Sequence, residues 1–227
     1  PPRFWQVTGA FALEPLDARS TRLHARVRAA FSSDQRLHAA WITPVHRLME
    51  TAQLHNLKRR CEGRARDGWR DVVEGAGGAA IMVAAMLTPF LRSGQRRWGV
   101  DEATAARSYP GDELVPAPTS HWTHGVEIDA PADAVWPWVA QIGADRGGFY
   151  SYQWLENVVG CEVRNAERIH PEWEVKVGDG LRLHPDMPPL PVVEVERGRY
   201  WLAFGAADAA AKAAGKAWVE SCWPFFL

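Results

Sequence analysis

The feature that most constrains the fold is a strict alternation of residue types over Ser20–Phe31. One face of this segment is apolar and the other is basic: Leu23, Ala25, Val27 and Ala29 against Arg22, His24, Arg26 and Arg28. Because successive side chains of a β-strand point to opposite faces, the pattern predicts a half-buried strand with a solvated cationic face. An anion-binding face is the alternative interpretation of the arginines. Residues 4–16 are also rich in β-forming residues and end in a turn, which predicts a hairpin.

A long helix is predicted next, from Asp34 to about Glu62, with Gly63 as its stop. Its apolar positions recur at helical spacing: Leu37, Trp41, Val45, Leu48, Met49, Ala52 and Leu57. Pro44 lies inside the pattern and predicts a kink or a division of the helix. His46 and Glu50 have i, i+4 spacing, but no second pair of ligands lies nearby in the sequence, so we expect no metal site.

The segment Val72–Leu91 is the most apolar window of the chain, and Glu74 is its single charged residue. A membrane-spanning helix needs about 20 strongly apolar residues. The first half of this window consists of weakly hydrophobic Gly and Ala, and arginines flank both ends. The window therefore predicts an apolar helix that either associates with a membrane or packs on the sheet or on a partner.

The stretch Gly143–Gly160 concentrates aromatic and charged side chains around Gly147-Gly148. The glycine pair predicts a tight loop, and Ser151 is a candidate N-cap for a short helix. The apolar positions of that helix are Trp154, Leu155, Val158 and Val159. Tyr and Trp side chains combine an apolar body with a polar tip and suit the wall of a ligand pocket. The alternative is that these aromatics are core residues.

Patterns elsewhere in the chain predict the remaining elements of an α+β fold. A short helix is predicted over 101–108, and another follows Pro131 with a buried face formed by Val135, Trp136, Val139 and Ile142. Strands are predicted over 122–129, 179–184, 192–196, 200–204 and 217–227. We expect the sheet to be built largely from residues 122–227 and the long helix to pack across it, since each has an apolar face to cover.

The run RGGFYSYQWLENVVGC resembles a bacterial branch of the SRPBCC superfamily, together with THGVEIDAPADAVWPWVAQIG before it and NAERIHPEW after it. Members of this superfamily are START-like helix-grip domains of the polyketide cyclase/dehydrase type. The resemblance covers roughly residues 98–227 and, less strongly, 4–63. It implies a curved antiparallel sheet wrapped around a long helix, with an apolar cavity between them and residues 72–91 as an extra apolar helix. A shared fold alone implies no reaction.

The order of the segments is rotated relative to the family that the chain resembles. There, a hairpin and a long gripping helix end the domain, whereas here they come first, in residues 1–63. Residues 64–97 form a linker and the apolar helix, and residues 98–227 form the main part of the SRPBCC-like domain. A fragment of a tandem protein and a permuted single domain both explain this order. Because each part has an apolar face that it cannot cover alone, we expect them to pack together, in one chain or as a domain-swapped homodimer.

The resemblance and the aromatic loop together predict the binding of a small hydrophobic ligand in the cavity. The expected ligand-binding residues are Trp138, Tyr150, Tyr152, Trp154 and Asn157. Glu156 is either a further polar contact or a brace paired with Arg146 or Arg164. A cyclase- or lyase-like enzyme is the alternative, in which Glu156 works with Tyr150 or Tyr152 as an acid–base pair on a cyclic apolar substrate. A membrane-associated interaction module anchored by residues 72–91 is the second alternative.

Composition narrows the classes of partner and cofactor. A net charge of −1 over 227 residues gives no reason to expect nucleic acid as a partner. Cys61, Cys161 and Cys222 are widely spaced and lack metal-ligand spacing, which favours free thiols in a reducing compartment. The sequence has no phosphate loop, dinucleotide fingerprint or metal motif, so we expect no cofactor. We therefore expect a cytoplasmic protein, with membrane association through residues 72–91 as the alternative.

Overall fold

The computed structural model describes residues 4–31, 36–64, 95–158, 160–186 and 188–208, and the isolated positions 73, 76, 77 and 80. Within them, six strands form one sheet: β1 (Phe4–Pro15), β2 (Thr21–Phe31), β3 (Ser120–Ile128), β4 (Gly180–Leu181), β5 (Leu190–Glu196) and β6 (Tyr200–Asp208). The strands are ordered β3-β2-β1-β6-β5-β4, and every neighbouring pair is antiparallel. Together with its helices, this sheet confirms the α+β class.

Four α-helices have described bounds: α1 (Arg36–Cys61), α2 (Glu102–Ala106), α3 (Ala132–Ala140) and α4 (Gln153–Val158). Single 3-10 turns occur at Gln95–Arg97, Asp112–Leu114 and Pro171–Trp173. The 26-residue α1 confirms the predicted long helix, but it runs through Pro44 without dividing. An interior proline removes one helical hydrogen bond. α1 also packs on β3 and α3, and such tertiary packing is what stabilises most helices in proteins.

The β1–β2 hairpin lies in the middle of the sheet. β2 pairs with β3 on one side and β1 pairs with β6 on the other, so residues 4–31 supply the two longest strands. Four of the six strands, β3 to β6, come from residues 120–208, in line with the predicted source of most of the sheet, but residues 4–31 supply its two central strands. Both edges of the hairpin are long rows of backbone groups that need partners, and β3 and β6 supply them. The predicted strand over 217–227 lies outside the described residues.

One face of the sheet, here called the inner face, is covered by α1 and α3. Glu50 of α1 accepts a hydrogen bond from Trp122 Nε1, and Trp201 Nε1 donates one to the Val139 carbonyl of α3. The strand register arranges the side chains of this face in rows across β3, β2, β1 and β6. One row is Trp122, Val27, Gly9 and Ala203, and the next is His124, Ala25, Phe11 and Trp201.

The opposite, outer face carries the basic residues of β2, and the predicted solvated cationic face is wrong. Arg26 is 5% exposed, and its guanidinium donates two hydrogen bonds of 3.0 Å to the Asp112 carboxylate. Arg28 donates to the carbonyls of Val115 and Pro116. The chain itself thus supplies the acceptors, because residues 101–119 fold back over this face.

A glycine allows this covering segment to lie close to the sheet. Gly111 has a φ of +86°, and a Cβ there would lie 2.5 Å from the side chain of Leu202 on β6. The segment begins at α2, whose Asp101 carboxylate accepts a hydrogen bond from the Thr104 N–H as an N-cap. This cap confirms the short helix that was expected over 101–108.

Most of the apolar window 72–91 lies outside the described residues. The exceptions are Val73, Ala76, Gly77 and Ala80, which are helical and exposed. Among the helices of the described part of the chain, none is long and apolar enough to cross a membrane.

Candidate ligand-binding site

One surface of α1, called here the polar seam, consists of His46, Glu50, Gln53, Leu57 and Arg60, of which only Leu57 is apolar. Residues three and four apart lie on one side of a helix. Glu50, Gln53 and Arg60 are at most 9% exposed, whereas Leu48 and Met49 of the predicted apolar stripe are only half-buried. The stripe was therefore wrongly assigned in this part of α1. The reason is that β3 offers polar partners on the inner face.

Glu50 is the centre of the polar seam. Its Oε2 atom accepts a hydrogen bond of 2.7 Å from Trp122 Nε1 and lies 2.7 Å from Nδ1 of His124. The His46 ring packs on Trp122, with ring centroids 5.1 Å apart. Burial by itself raises the pKa of the Glu50 carboxyl, but His124 and then His46 outweigh burial and hold that pKa well below its usual range. Glu50 is therefore an ionised carboxylate inside the protein.

The second carboxylate oxygen of Glu50 has capacity for another donor. Oε1 lies 3.8 Å from Nε2 of His46, which is beyond hydrogen-bonding distance. Within the part of the chain that the structure describes, no hydrogen bond to Oε1 is formed. A carboxylate can accept about four hydrogen bonds, so Oε1 can accept a hydrogen bond from a donor outside the described residues. Oε1 thus marks a position where an external donor is favoured.

The inner face has an opening in the same row as Trp122, called here the Gly9 opening. Gly9 is half-buried in the middle of β1, and no described heavy atom lies within 4 Å of the position that a Cβ would take there. Phe11 and Trp201, with ring centroids 5.3 Å apart, border it in the next row. Gly9 is two strands from Trp122 and hence about 10 Å away, because neighbouring strands are about 4.8 Å apart. The opening is therefore apolar and within reach of Glu50 for a small molecule.

The predicted loop at Gly147-Gly148 packs against the other end of the seam through Tyr150. Tyr150 is fully buried, and its hydroxyl accepts a hydrogen bond of 2.6 Å from Gln141 Nε2. The Arg60 guanidinium lies 4.9 Å from the centre of the Tyr150 ring, and Asn56 of α1 donates to the Tyr150 carbonyl. Burial raises the pKa of Tyr150 to about 12. Tyr150 therefore joins the loop to α1.

This packing requires the glycine pair. A Cβ at Gly147 would lie 2.6 Å from the Tyr150 hydroxyl and 2.7 Å from the Gln141 carbonyl oxygen. A Cβ at Gly148, where φ is +74°, would lie 2.5 Å from Oδ1 of Asn165. The same Oδ1 atom accepts a hydrogen bond from the Tyr150 N–H. The tight loop is confirmed, and its cause is the close approach of Tyr150 and Asn165.

The other expected ligand-binding residues lie around this loop. Trp138 is half-buried, and its ring meets Tyr150 edge-on at 6.0 Å. Tyr152 and Trp154 are half-buried at the start of α4, and the buried Nε1 of Trp154 has no acceptor among the described residues. Asn157 is exposed, and its amide group bonds to both backbone groups of Val163. Their role in ligand binding stays a prediction.

Glu156 is buried, and its carboxylate accepts a hydrogen bond from the Ser151 hydroxyl. Of the two braces expected for Glu156, the one with Arg146 is wrong, because Arg146 pairs with Asp179 at 2.9 Å, and the one with Arg164 stays a prediction. The apolar stripe of α4 is also wrong at Val158, which is 74% exposed. In both cases, the folding of residues 160–182 around the loop, which the local pattern does not contain, selects the contacts.

Acid–base catalysis by Glu156 with Tyr150 or Tyr152 stays a prediction. The high pKa of Tyr150, caused by burial, makes its hydroxyl a weak acid at neutral pH. Burial also raises the pKa of the Cys61 and Cys161 thiols to about 12, so both are poor nucleophiles. No group of His, Cys, Asp or Glu in the described residues is arranged to hold a metal ion. Cys222 lies outside those residues.

Comparison with known proteins identifies no relative of this chain. No family model matches it, and neither a curated protein nor a solved structure does. The SRPBCC resemblance therefore stays a prediction.

Sequence reasoning missed the residues that define this geometry: Gly9, Glu50 and His124. A lone glycine inside a β-forming run was the available signal for Gly9, since such a glycine marks an irregularity or a close approach. Glu50 was visible only as half of an i, i+4 pair with His46. Its partners Trp122 and His124 are on β3, which only the strand pairing brings under α1.

Proposed function

We propose that this protein binds a small hydrophobic molecule on the inner face of the sheet, between the Gly9 opening and the polar seam of α1. The observation that carries the proposal is a glycine in the middle of the inner face, at a position that no atom of the described residues fills. Protein interiors are closely packed, and a central strand position normally carries a side chain that fills the layer. An apolar molecule would complete this layer.

The side chains around the opening suit such a ligand. Phe11 and Trp201 offer large aromatic surfaces, and Val27 and Ala203 flank Gly9 with small apolar groups. Ligand sites are usually apolar and carry a few polar groups that fix the orientation of the bound molecule. Glu50 is a group of that kind, since its ionised carboxylate lies on the same face and its Oε1 atom accepts no hydrogen bond from the described residues.

The proposed architecture is that of a helix-grip domain, with the sheet curving around α1. The strand order supports a permuted single domain, because the hairpin β1–β2 lies between β3 and β6 in one continuous sheet. A swapped dimer and membrane association through residues 72–91 remain predictions for the full protein.

Replacing Gly9 by Val tests the proposed site. Valine at this position occupies the opening, so we expect the affinity for a fluorescent apolar probe such as N-phenyl-1-naphthylamine to fall at least tenfold. The same change should not reduce stability, because glycine in a strand interior is destabilising by roughly 0.5–1 kcal/mol and no described atom obstructs the new side chain. Probe titration and urea unfolding measure the two effects.

Ala12→Val is the matched control, because Ala12 is on the same strand and its neighbour in the register is His24 of the outer face. It should leave probe affinity unchanged. If Gly9→Val binds the probe as well as the parent does, the site is elsewhere and the proposal is wrong. If Gly9→Val is strongly destabilised, the position is already filled, which also contradicts the proposal.

A further inference from the structure

We infer that the ligand of the proposed site carries a neutral hydroxyl group, which donates a hydrogen bond to Oε1 of Glu50. The inference rests on the proposed function and specifies the class of ligand: an apolar alcohol or phenol, bound with its body over Gly9 and its hydroxyl at the polar seam.

The requirement for a hydrogen-bond donor on the ligand follows from the ionised carboxylate of Glu50 and from the contacts of its two oxygens. An ionised carboxylate accepts hydrogen bonds and donates none. Oε2 already has Trp122 Nε1 and His124 Nδ1 at 2.7 Å, whereas the one described partner of Oε1 is His46, at 3.8 Å. A ligand group that meets Oε1 must therefore present an O–H or N–H.

The charges around Glu50 exclude an anionic head group. A ligand carboxylate at Oε1 would place two negative charges within contact distance in a buried site, which is strongly unfavourable. It would also bring a second acceptor to an atom that needs a donor. Fatty acids and similar organic acids are therefore the wrong class for this position.

The same charges disfavour an ammonium group. The His124 imidazole already lies against the Glu50 carboxylate at 2.7 Å, and His46 approaches from the same helix. The Arg47 guanidinium lies 5.2 Å from the centre of the Trp122 ring, on the indole that donates to Glu50. A further cation would be added to a carboxylate that has cationic or protonatable neighbours on both α1 and β3. A neutral hydroxyl supplies the donor without adding charge.

The register of the sheet places the apolar body of such a ligand. Trp122, Val27 and Gly9 stand side by side in one row across β3, β2 and β1. A molecule that starts at Glu50 above Trp122 and follows this row reaches the Gly9 opening. The ligand is therefore elongated or fused-ring, with its hydroxyl at one end.

A series of ligands with one apolar body and different head groups tests the inference. Decan-1-ol, decyl methyl ether, decanoate and decylammonium are titrated against the bound N-phenyl-1-naphthylamine probe at neutral pH, with the parent protein, Glu50→Gln and Gly9→Val. The ether retains an acceptor oxygen but lacks the donor, so the alcohol-to-ether ratio isolates the hydrogen bond. Glu50→Gln keeps the shape of the side chain and removes its charge.

We expect the parent to bind the alcohol roughly 10- to 100-fold more tightly than the ether, the range that corresponds to a hydrogen bond to a charged group. Decanoate and decylammonium should both bind more weakly than the alcohol. In Glu50→Gln, the alcohol-to-ether ratio should fall at least threefold. If Glu50→Gln does not fold, the alcohol-to-ether affinity ratio of the parent protein alone tests the hydroxyl assignment.

The outcomes separate this inference from the proposed function. If the four compounds displace the probe equally well and Gly9→Val weakens all of them, the site exists but the hydroxyl assignment is overturned. Tightest binding of decanoate or of decylammonium overturns it as well, in favour of an acid or an amine. If the probe and all four compounds fail to bind the parent, the proposed function itself is wrong and this inference falls with it.

Discussion

The ion pair between Arg26 and Asp112 should be one of the largest single contributions to the stability of this fold. Arg26 is 5% exposed, and it donates to both carboxylate oxygens of Asp112 at 3.0 Å. It also donates to the Thr123 hydroxyl and to the Ala105 carbonyl. This one guanidinium therefore connects β2 to β3 and to the segment that covers the outer face.

Replacing Arg26 by Met removes the charge and keeps most of the side-chain volume. The Asp112 carboxylate, whose side chain is only 14% exposed, then loses both Arg26 hydrogen bonds and keeps, among its described partners, only the Arg28 guanidinium at 3.6 Å and the Tyr109 N–H. Breaking a buried pair by removing one partner costs about 3–5 kcal/mol. That is a large fraction of the roughly 5–15 kcal/mol by which a folded domain is stable. Urea unfolding followed by tryptophan fluorescence measures the difference.

Arg22→Met is the matched control on the same strand and the same face. Arg22 pairs with Glu127, and the side chains of this pair are 25% and 60% exposed. Exposed ion pairs contribute about 0–1 kcal/mol, so this variant should lose less than about 1 kcal/mol. The double variant Arg26→Met/Asp112→Leu should regain part of the loss, because an apolar pair can replace a buried ion pair at little cost. Equal effects of Arg26→Met and Arg22→Met would refute the idea that the covering segment is fixed by a buried charge pair.

Two further predictions follow from the described contacts. Gly147→Ala should lower the free energy of unfolding by about 1–3 kcal/mol, because the added methyl group meets the Tyr150 hydroxyl and the Gln141 carbonyl oxygen at 2.6 and 2.7 Å; an unchanged urea midpoint would contradict the packing of this loop. Burial lowers the pKa of His24 below its usual value of 6.5, against the opposing effect of Glu14, so the unfolded chain takes up this proton more readily than the folded one. The contribution of His24 to the free energy of unfolding is therefore fully present above about pH 6.5 and is lost as the pH falls below that value. His24→Gln should lose less stability between about pH 8 and pH 5 than the parent protein does. Identical losses in the two proteins would show that His24 does not titrate in this way.

The sequence by itself determined the local elements whose pattern needs no distant partner. The alternation over Ser20–Phe31 predicted β2, because a period of two is a property of the strand itself. The buried face of α3, which includes Val135, Trp136 and Val139, follows from helical spacing in the same way. The loop at Gly147-Gly148 was also visible, because a glycine pair carries its own conformational signal.

Only the tertiary structure decided which surfaces are inside. The basic face of β2 is polar in sequence, yet it is buried, because residues 101–119 bring Asp112 and two carbonyls to it. The polar seam of α1 is buried for a related reason, since β3 supplies Trp122 and His124 as partners for Glu50. A hydrophobic pattern predicts burial from the free-energy cost of moving each side chain out of water. For a polar side chain, that cost falls when a specific hydrogen-bonding partner is present in the interior. The partners of the β2 arginines and of Glu50 lie on elements that are distant in the sequence. Only the strand pairing and the course of residues 101–119 bring these partners close enough to bury the polar side chains.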